Sequence, residues 1–187
     1  AVDTEYIFSE TLGMPRLELK LQGTKSLSSD EISKIIALME RRIGGEPLQY
    51  ILGKAYFRKL CLGVGPGVLI PRPETELIID LAMPYIRKGT RIADVGTGSG
   101  AIALAAGSEF PDSVVTGIDI SDAALDRAES NRTLLGIRNV SFVKGDLLAA
   151  FPESSFDVVL SNPPYVTDSE YDALPREVKG HEPENAL

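Results

Sequence analysis

Apolar positions recur at helical spacing through the first part of the chain. Ile32, Ile35, Ile36, Met39 and Ile43 fall on one side of a helix. The preceding Ser28-Ser29-Asp30-Glu31 reads as a capping box, in which the serine hydroxyl and the glutamate carboxylate each satisfy a backbone N–H. Gly44-Gly45 and Pro47 end this helix, glycine supplying a left-handed cap and proline being unable to continue the ladder. An earlier helix over roughly Thr4 to Leu12 stops at Gly13-Met14-Pro15 by the same logic. From Tyr50 to Val64 the chain turns aromatic and β-branched with glycine punctuation, which predicts a short hairpin. Ile70-Pro71-Arg72-Pro73 forces extended backbone. Pro73 then suits the first position of a helix carrying Leu77, Ile78, Leu81 and Ala82, with Pro84 near its end.

After Gly89 the pattern becomes strand, loop, helix, repeated. Strands are predicted at Arg91 to Val95, Val114 to Ile118, Val140 to Val143 and Phe156 to Leu160, with helices at Ala101 to Ser108 and Asp122 to Leu135. Such an alternation implies a parallel sheet covered on both faces, a doubly wound α/β domain. The expected division is a helical domain at 1–48, a hairpin linker at 49–69 and the α/β domain at 70–187.

Composition narrows the function classes. A chain of 187 residues that is 43% hydrophobic can bury one full core and a small second domain. The longest apolar runs, Ala101 to Ala106 and Leu77 to Met83, are too short to cross a bilayer, so no membrane partner is expected. Ala1-Val2-Asp3-Thr4-Glu5 lacks the basic and apolar regions of a secretory signal, and a cytoplasmic location is expected. The single Cys61 cannot close an intramolecular disulfide, and with the single His181 it makes no Cys/His cluster, so no metal is expected. A net charge of −8 disfavours a nucleic acid held by phosphate neutralisation and favours a protein or small-molecule substrate.

Two segments carry candidate chemistry. Asp94-Val95-Gly96-Thr97-Gly98-Ser99-Gly100-Ala101 joins a strand to a helix, where glycines let backbone approach a ligand at the helix N-terminus. Asp119 closes the next strand 21 residues beyond Gly98, the place from which a carboxylate accepts hydrogen bonds from ribose hydroxyls. The two make a nucleoside site. Gly96, Gly98 and Ala101 also fit the dinucleotide fingerprint, which keeps NAD open as a ligand.

The second segment, Ser161 to Tyr165, follows the last predicted strand at the carboxyl edge of the sheet. Pro163 and Pro164 fix two backbone angles and remove two donors, so that adjacent carbonyls project without a competing N–H. The Asn162 side-chain oxygen and the Pro163 carbonyl can each accept one hydrogen of an NH2 group, with Tyr165 as a flat wall. The acceptor read from this loop is a planar amide or amine nitrogen.

The glycine loop resembles the first motif of class I S-adenosylmethionine methyltransferases, in which the leading acid, here Asp94, faces the cofactor's methionine end. Lys144-Gly145-Asp146-Leu147 is similar to the later motif beside the adenine, with Asp146 on the amino group and Leu147 against the ring. The whole chain resembles the protein-(glutamine-N5) methyltransferases of peptide-chain release factors. The match is carried by Ile70-Pro71-Arg72-Pro73-Glu74-Thr75-Glu76, by the glycine loop, by Ser161-Asn162-Pro163-Pro164-Tyr165-Val166 and by Glu182-Pro183-Glu184-Asn185-Ala186-Leu187. Asn-Pro-Pro-Tyr alone is shared with adenine-N6 and guanine-N2 nucleic acid methyltransferases, so a nucleic acid amino group stays as the alternative acceptor. A non-catalytic nucleoside-binding domain is the other alternative.

The resemblance implies a class I fold with a Rossmann-like parallel sheet, a small N-terminal helical domain that docks the protein substrate, and a connecting β-hairpin. It implies S-adenosylmethionine as cofactor, S-adenosylhomocysteine as product, and the glutamine of a release-factor Gly-Gly-Gln tripeptide as acceptor. The partner is then a release factor, with no direct nucleic acid contact and a monomeric enzyme. Gly96, Thr97, Gly98, Ser99, Gly100, Asp119, Asp146, Leu147 and Asn162 would line the cofactor. Asn162, Pro163, Pro164 and Tyr165 would hold the glutamine, with Asn162, Pro163 and Tyr165 serving catalysis. Leu69 and Ile70 would add an apolar wall, while Arg72 and Glu74 could instead pair with each other or cap the following helix. Relative to the family, the chain is expected to begin within the helical domain and to stop before the last strands of the sheet.

Overall fold

The computed structural model describes residues 2–21 and 26–187. Ala1 and positions 22–25, which fall inside the expected helical domain, lie outside the described residues. Three helices open the chain: α1 (Val2–Leu12), α2 (Arg16–Leu21) and α3 (Ser29–Ile43). The capping box at the start of α3 forms, Ser28 accepting from the Glu31 N–H and Glu31 reaching back to the Ser28 N–H. Its C-terminus is closed by the glycine pair, as expected. Gly44 stays right-handed at φ −65, and the left-handed position falls on Gly45 at φ +96. Of the apolar stripe only Ile35 is buried, while Ile32, Ile36 and Ile43 are exposed. The short α2 falls within the expected helical domain, where no separate helix had been placed.

A further helix, α4 (Leu48–Leu52), replaces the first residues of the expected hairpin and runs across the expected 48/49 boundary. Gly53 ends it in the left-handed region, at φ +69. Strands β1 (Lys54–Phe57) and β2 (Leu60–Gly63) then pair antiparallel. Pro73 is indeed an N-terminal helical residue, but of a 3-10 turn over Pro73–Glu76 that leads into α5 (Leu77–Ala82). Ile79 and Ala82 are buried, and Leu77 and Leu81 are exposed, reversing part of the expected stripe.

The α/β part runs β3 (Arg91–Val95), α6 (Ala101–Glu109), β4 (Val114–Asp119), α7 (Asp122–Leu135), β5 (Val140–Lys144) and β6 (Val158–Ser161), followed by the short α8 (Asp168–Tyr171) and α9 (Arg176–Lys179). The four strands are parallel in the order β5-β4-β3-β6. The chain therefore moves outward from β3 through β4 to β5, then returns to the other side of β3, so the switch point lies at the carboxyl ends of β3 and β6. Ligands of open α/β sheets bind in that crevice.

One face of the sheet buries Ile92, Val115, Val140 and Leu160 under α5, α6 and the hairpin residues Phe57 and Leu62. On the other face Ala93, Val95 and Ile118 meet Leu148, Phe151 and Phe156. That second covering comes from the loop before β6, where helices had been expected on both faces. No helix among the described residues is long and apolar enough to cross a membrane. Among them, too, no group of three or more His, Cys, Asp or Glu side chains could hold a metal ion.

Asn131 fastens the hairpin to the α/β part. It is 1% exposed, and its side chain accepts from the Gly63 N–H at 2.7 Å and donates to the carbonyls of Gly63 and Ser99 at 3.0 and 2.9 Å. One residue of the glycine loop is thus held from α7. Asn131→Ala leaves three backbone groups without partners. It is expected to destabilise the protein by roughly 2–4 kcal/mol, because each buried group left unpaired costs about 1–3 kcal/mol and the three share one site. Urea denaturation of the two proteins checks this.

Candidate active site

The glycine loop is shaped by contacts to both neighbouring elements. Gly96 and Thr97 donate their N–H groups to the Ile118 carbonyl at 2.9 and 3.0 Å, knitting the loop to the end of β4. Gly96, Gly98 and Gly100 all have positive φ, at +74, +54 and +83. At Gly96 and Gly98 an added Cβ would stand in open space, and both residues line a cavity of about 190 Å³ at the switch point. Gly100 serves a different purpose. An added Cβ there would lie 3.0–3.1 Å from Leu104, Ala128 and Phe142, so this glycine lets α6 close onto its neighbours and does not line the cavity.

Asp94 is fully buried and also absent from the lining. Where the resemblance had it facing the cofactor, it works inside the loop. Its Oδ2 accepts from the Thr97 hydroxyl at 2.6 Å and from the Ala103 N–H at 3.0 Å. The second bond supplies the cap that Gly100, having no side chain, cannot give to the first turn of α6. Burial pushes the carboxyl up from 3.8 to about 6, against the lowering effect of those two hydrogen bonds.

Asp119 sits at the end of β4 and accepts from the Gly98 N–H at 2.8 Å through Oδ2 and from the Ser121 N–H at 3.0 Å through Oδ1. Two backbone bonds fix its orientation, while each oxygen keeps acceptor capacity for a ligand hydroxyl. Thr97 and Ser99 are buried, and both line the cavity with Asp119. On the next strand's loop, Asp146 and Leu147 also reach the lining; Leu147 is 66% exposed and holds a positive φ of 50.

Beneath the loop, Gly117 carries Thr97. A Cβ at Gly117 would stand 2.5 Å from the Phe142 ring and 2.7 Å from the Thr97 hydroxyl oxygen. Neither neighbour can yield without moving the strand pair or the loop. Gly117→Ala is expected to cost about 1–3 kcal/mol by overpacking, with weaker cofactor binding as its functional trace. Thermal unfolding and a cofactor titration measure the two effects.

The Asn-Pro-Pro-Tyr segment leaves β6 beside β3, held by the Ser161 hydroxyl donating to the Val95 carbonyl at 2.8 Å. Asn162 and Pro164 line the same cavity as the glycine loop. Pro163 and Tyr165 do not, and Tyr165 is 74% exposed. The flat wall expected of Tyr165 is therefore not assembled in this structure.

The Pro-Arg-Pro block closes another side of the cavity. Leu69, Pro71, Arg72 and Thr75 line it, whereas Ile70 is buried away from it. Arg72 neither pairs with Glu74 nor caps the helix. Its guanidinium lies 2.7 Å from Glu182, which also accepts the Ile70 N–H at 3.0 Å. Pro183, Asn185 and Ala186 complete that wall. Glu76, from the same block, accepts the Arg58 N–H at 2.8 Å and so anchors the hairpin turn. Sequence reasoning singled out both blocks by resemblance without finding that they meet. Asn131 it missed, although its place in a buried row with Ala124 and Ala128 on α7 is the signal that a polar residue there has work to do.

Comparison with known proteins finds matches in two parts of the chain. Residues 1–53 match the PrmC N-terminal domain and residues 86–182 match a methyltransferase domain. The chain is 42% identical over its whole length to the release factor glutamine methyltransferase of Gloeobacter violaceus, of which it covers 66%. It is 39% identical, over 99% of its length, to the protein of the same name from Thermodesulfovibrio yellowstonii, covering 67% of that relative. A third relative so named, from Fusobacterium nucleatum, is 39% identical over all of this chain and is covered to 54%. The chain thus spans about two thirds or less of the length of these curated relatives. A glycine loop and an Asn-Pro-Pro-Tyr segment opening onto one cavity, with both domain matches and identity of this order across the whole chain, place it in the family of release factor glutamine methyltransferases.

Proposed function

We propose that the protein transfers a methyl group from S-adenosylmethionine to the side-chain amide nitrogen of the Gly-Gly-Gln glutamine in a peptide-chain release factor, leaving S-adenosylhomocysteine. One observation carries the reading: the glycine loop after β3 and Asn162 and Pro164 of the Asn-Pro-Pro-Tyr segment after β6 line a single cavity at the switch point. The residues present fit the cofactor, because Gly96 and Gly98 leave open space where any side chain would intrude. When bound, the cofactor supplies an electrophilic methyl group on a sulfonium centre.

The chain's own residues then divide the work. Gly96, Thr97, Gly98 and Ser99 hold the cofactor's backbone-facing side, with Gly100 supporting the loop from behind. Asp119 binds ribose hydroxyls, and Asp146 and Leu147 hold the base. Asn162 and Pro163 accept hydrogen bonds from the two N–H groups of the glutamine amide, with Pro164 beside it in the cavity. An amide nitrogen is a poor nucleophile, so orienting its lone pair and stabilising the charge that develops on it are the chief contributions available. A new N–C bond forms as the S–C bond breaks, and the displaced proton leaves to solvent.

The helical residues up to Leu52 serve as the docking domain, 54–69 as the linker and the remainder as the transferase part. We assign a monomer acting in the cytoplasm on a protein partner, the net charge of −8 supporting a substrate other than nucleic acid. The test is transfer of labelled methyl from S-adenosylmethionine to a purified release factor by the full-length protein, located by peptide mass spectrometry. Label on the Gly-Gly-Gln glutamine is expected. Label on RNA or DNA with none on the release factor would overturn the acceptor, and a titration in which NAD binds and S-adenosylmethionine does not would overturn the cofactor.

A further inference from the structure

Among the described residues Glu182 is the most deeply buried acidic side chain outside the sheet, at 1% exposure. Its two carboxylate oxygens are spent on different partners. Oε1 receives the Arg72 guanidinium at 2.7 Å, and Oε2 receives the Ile70 N–H at 3.0 Å. Its own N–H donates to the Val178 carbonyl at 2.9 Å, continuing the turn of α9. The segment it receives is itself fixed from beneath, since the buried Tyr50 hydroxyl donates to the Val68 carbonyl. A carboxylate taken out of water at best breaks even against a well-packed apolar side chain, so stability alone gives no reason for one here. What a two-point clamp yields is a fixed location, and the residues fixed by it are next in the chain. Pro183, Asn185 and Ala186 line the cavity, as do Pro71 and Arg72 on the clamped segment.

We propose that Glu182 is a positioning residue for methyl transfer, which seats the Pro183–Ala186 wall on the cavity through Ile70 and Arg72 without itself touching cofactor or acceptor. The proposal rests on the methyltransferase reading above. It extends to the helical domain, because Arg42 of α3 binds Glu177 of α9 at 2.7 Å, five residues before the clamp. That outer contact is half-exposed, which makes it the weaker of the two.

The experiment uses the full-length protein carrying Glu182→Gln, which keeps the size and one acceptor and removes the charge. The expected result is a fall of about tenfold or more in kcat/KM for the release factor, with the S-adenosylmethionine Kd within about threefold. Amide hydrogen exchange should quicken at Ile70 and over 183–187 while the sheet keeps its protection. Arg72→Gln should lose activity too, and the double variant should lose little more than the worse single one, as for two halves of one contact. Glu177→Gln should stay within about twofold of the unmodified protein. Unchanged exchange over 183–187 with unchanged kcat/KM would overturn the proposal. So would losses that multiply in the double variant, or exchange that rises throughout the sheet with activity following the folded fraction. Absence of transfer by the unmodified protein would instead overturn the acceptor reading, and the exchange pattern would still decide whether the clamp exists.

Discussion

Replacing Asn162 by alanine is expected to slow methyl transfer by roughly 100- to 1,000-fold, while cofactor affinity changes by less than about tenfold. Asn162 lines the cavity beside the glycine loop, and its side-chain oxygen is the acceptor proposed to take one amide hydrogen. An amide nitrogen gains nucleophilicity only as its lone pair is turned out of conjugation, so a hydrogen bond that sets its orientation acts mainly in the transition state. Loss of that bond should lower kcat more than it raises KM. Asn162→Asp sharpens the test, since it keeps an acceptor and removes the NH2 donor. Retained activity in the aspartate variant with loss in the alanine variant would assign the work to the oxygen. Single-turnover transfer and calorimetric titration of the cofactor give the two quantities. Equal losses in both would mean that Asn162 serves cofactor binding alone.

Asp94→Ala is expected to damage the protein in a different way, lowering stability and weakening cofactor binding by at least about tenfold, roughly 1.4 kcal/mol. The substitution strips the acceptor from the Thr97 hydroxyl and from the Ala103 N–H, both inside the fold. Each group so orphaned costs about 1–3 kcal/mol. Thr97 lines the cavity, and its loss of anchorage is the route to weaker binding. Asp94→Asn should behave otherwise, because an amide oxygen can take over both bonds. The pH dependence distinguishes the two further. Burial holds the folded-state value near 6 against 3.8 for an exposed aspartate. Between those values the folded chain binds the extra proton, so this group makes stability fall as pH rises from about 4 to 6, then level off. Asp94→Asn should remove that slope, and denaturation curves collected at intervals from pH 4 to 8 would show it. A slope that survives in the asparagine variant would assign it to another carboxylate.

Much of the α/β part was legible in the sequence because buried parallel strands leave continuous apolar runs, and four such runs became β3 to β6 with no end shifted by more than two residues. The capping box before α3 was legible for a local reason, since it is made within four consecutive residues. Where the reading failed, the deciding contact was distant or the flanking residues overrode the local composition. Leu48 to Leu52 carries the composition of a strand, yet Pro47 and a left-handed Gly53 bound it as a helix. The stripe of α5 was misplaced because a six-residue helix with apolar residues on most sides leaves its buried face to be decided by what it packs on, here α6 and β6. In the site, a glycine-rich loop announces itself, but which glycine faces the ligand depends on what stands behind each one. Only the folded chain shows Gly100 pressed against Leu104, Ala128 and Phe142. Asp94 turned inward for the same kind of reason, its partners being set by how α6 returns across the sheet. The junction of Arg72 with Glu182 spans 110 residues and left no periodic trace.

The most direct measurement is a crystal structure of the full-length protein with S-adenosylhomocysteine and a glutamine-containing release-factor peptide. The expected result places the cofactor's ribose on Asp119, its sulfur toward the Asn-Pro-Pro-Tyr segment, and the glutamine amide between the Asn162 side chain and the Pro163 carbonyl. A cofactor sulfur directed away from Asn162, or a glutamine bound elsewhere with that loop untouched, would contradict it.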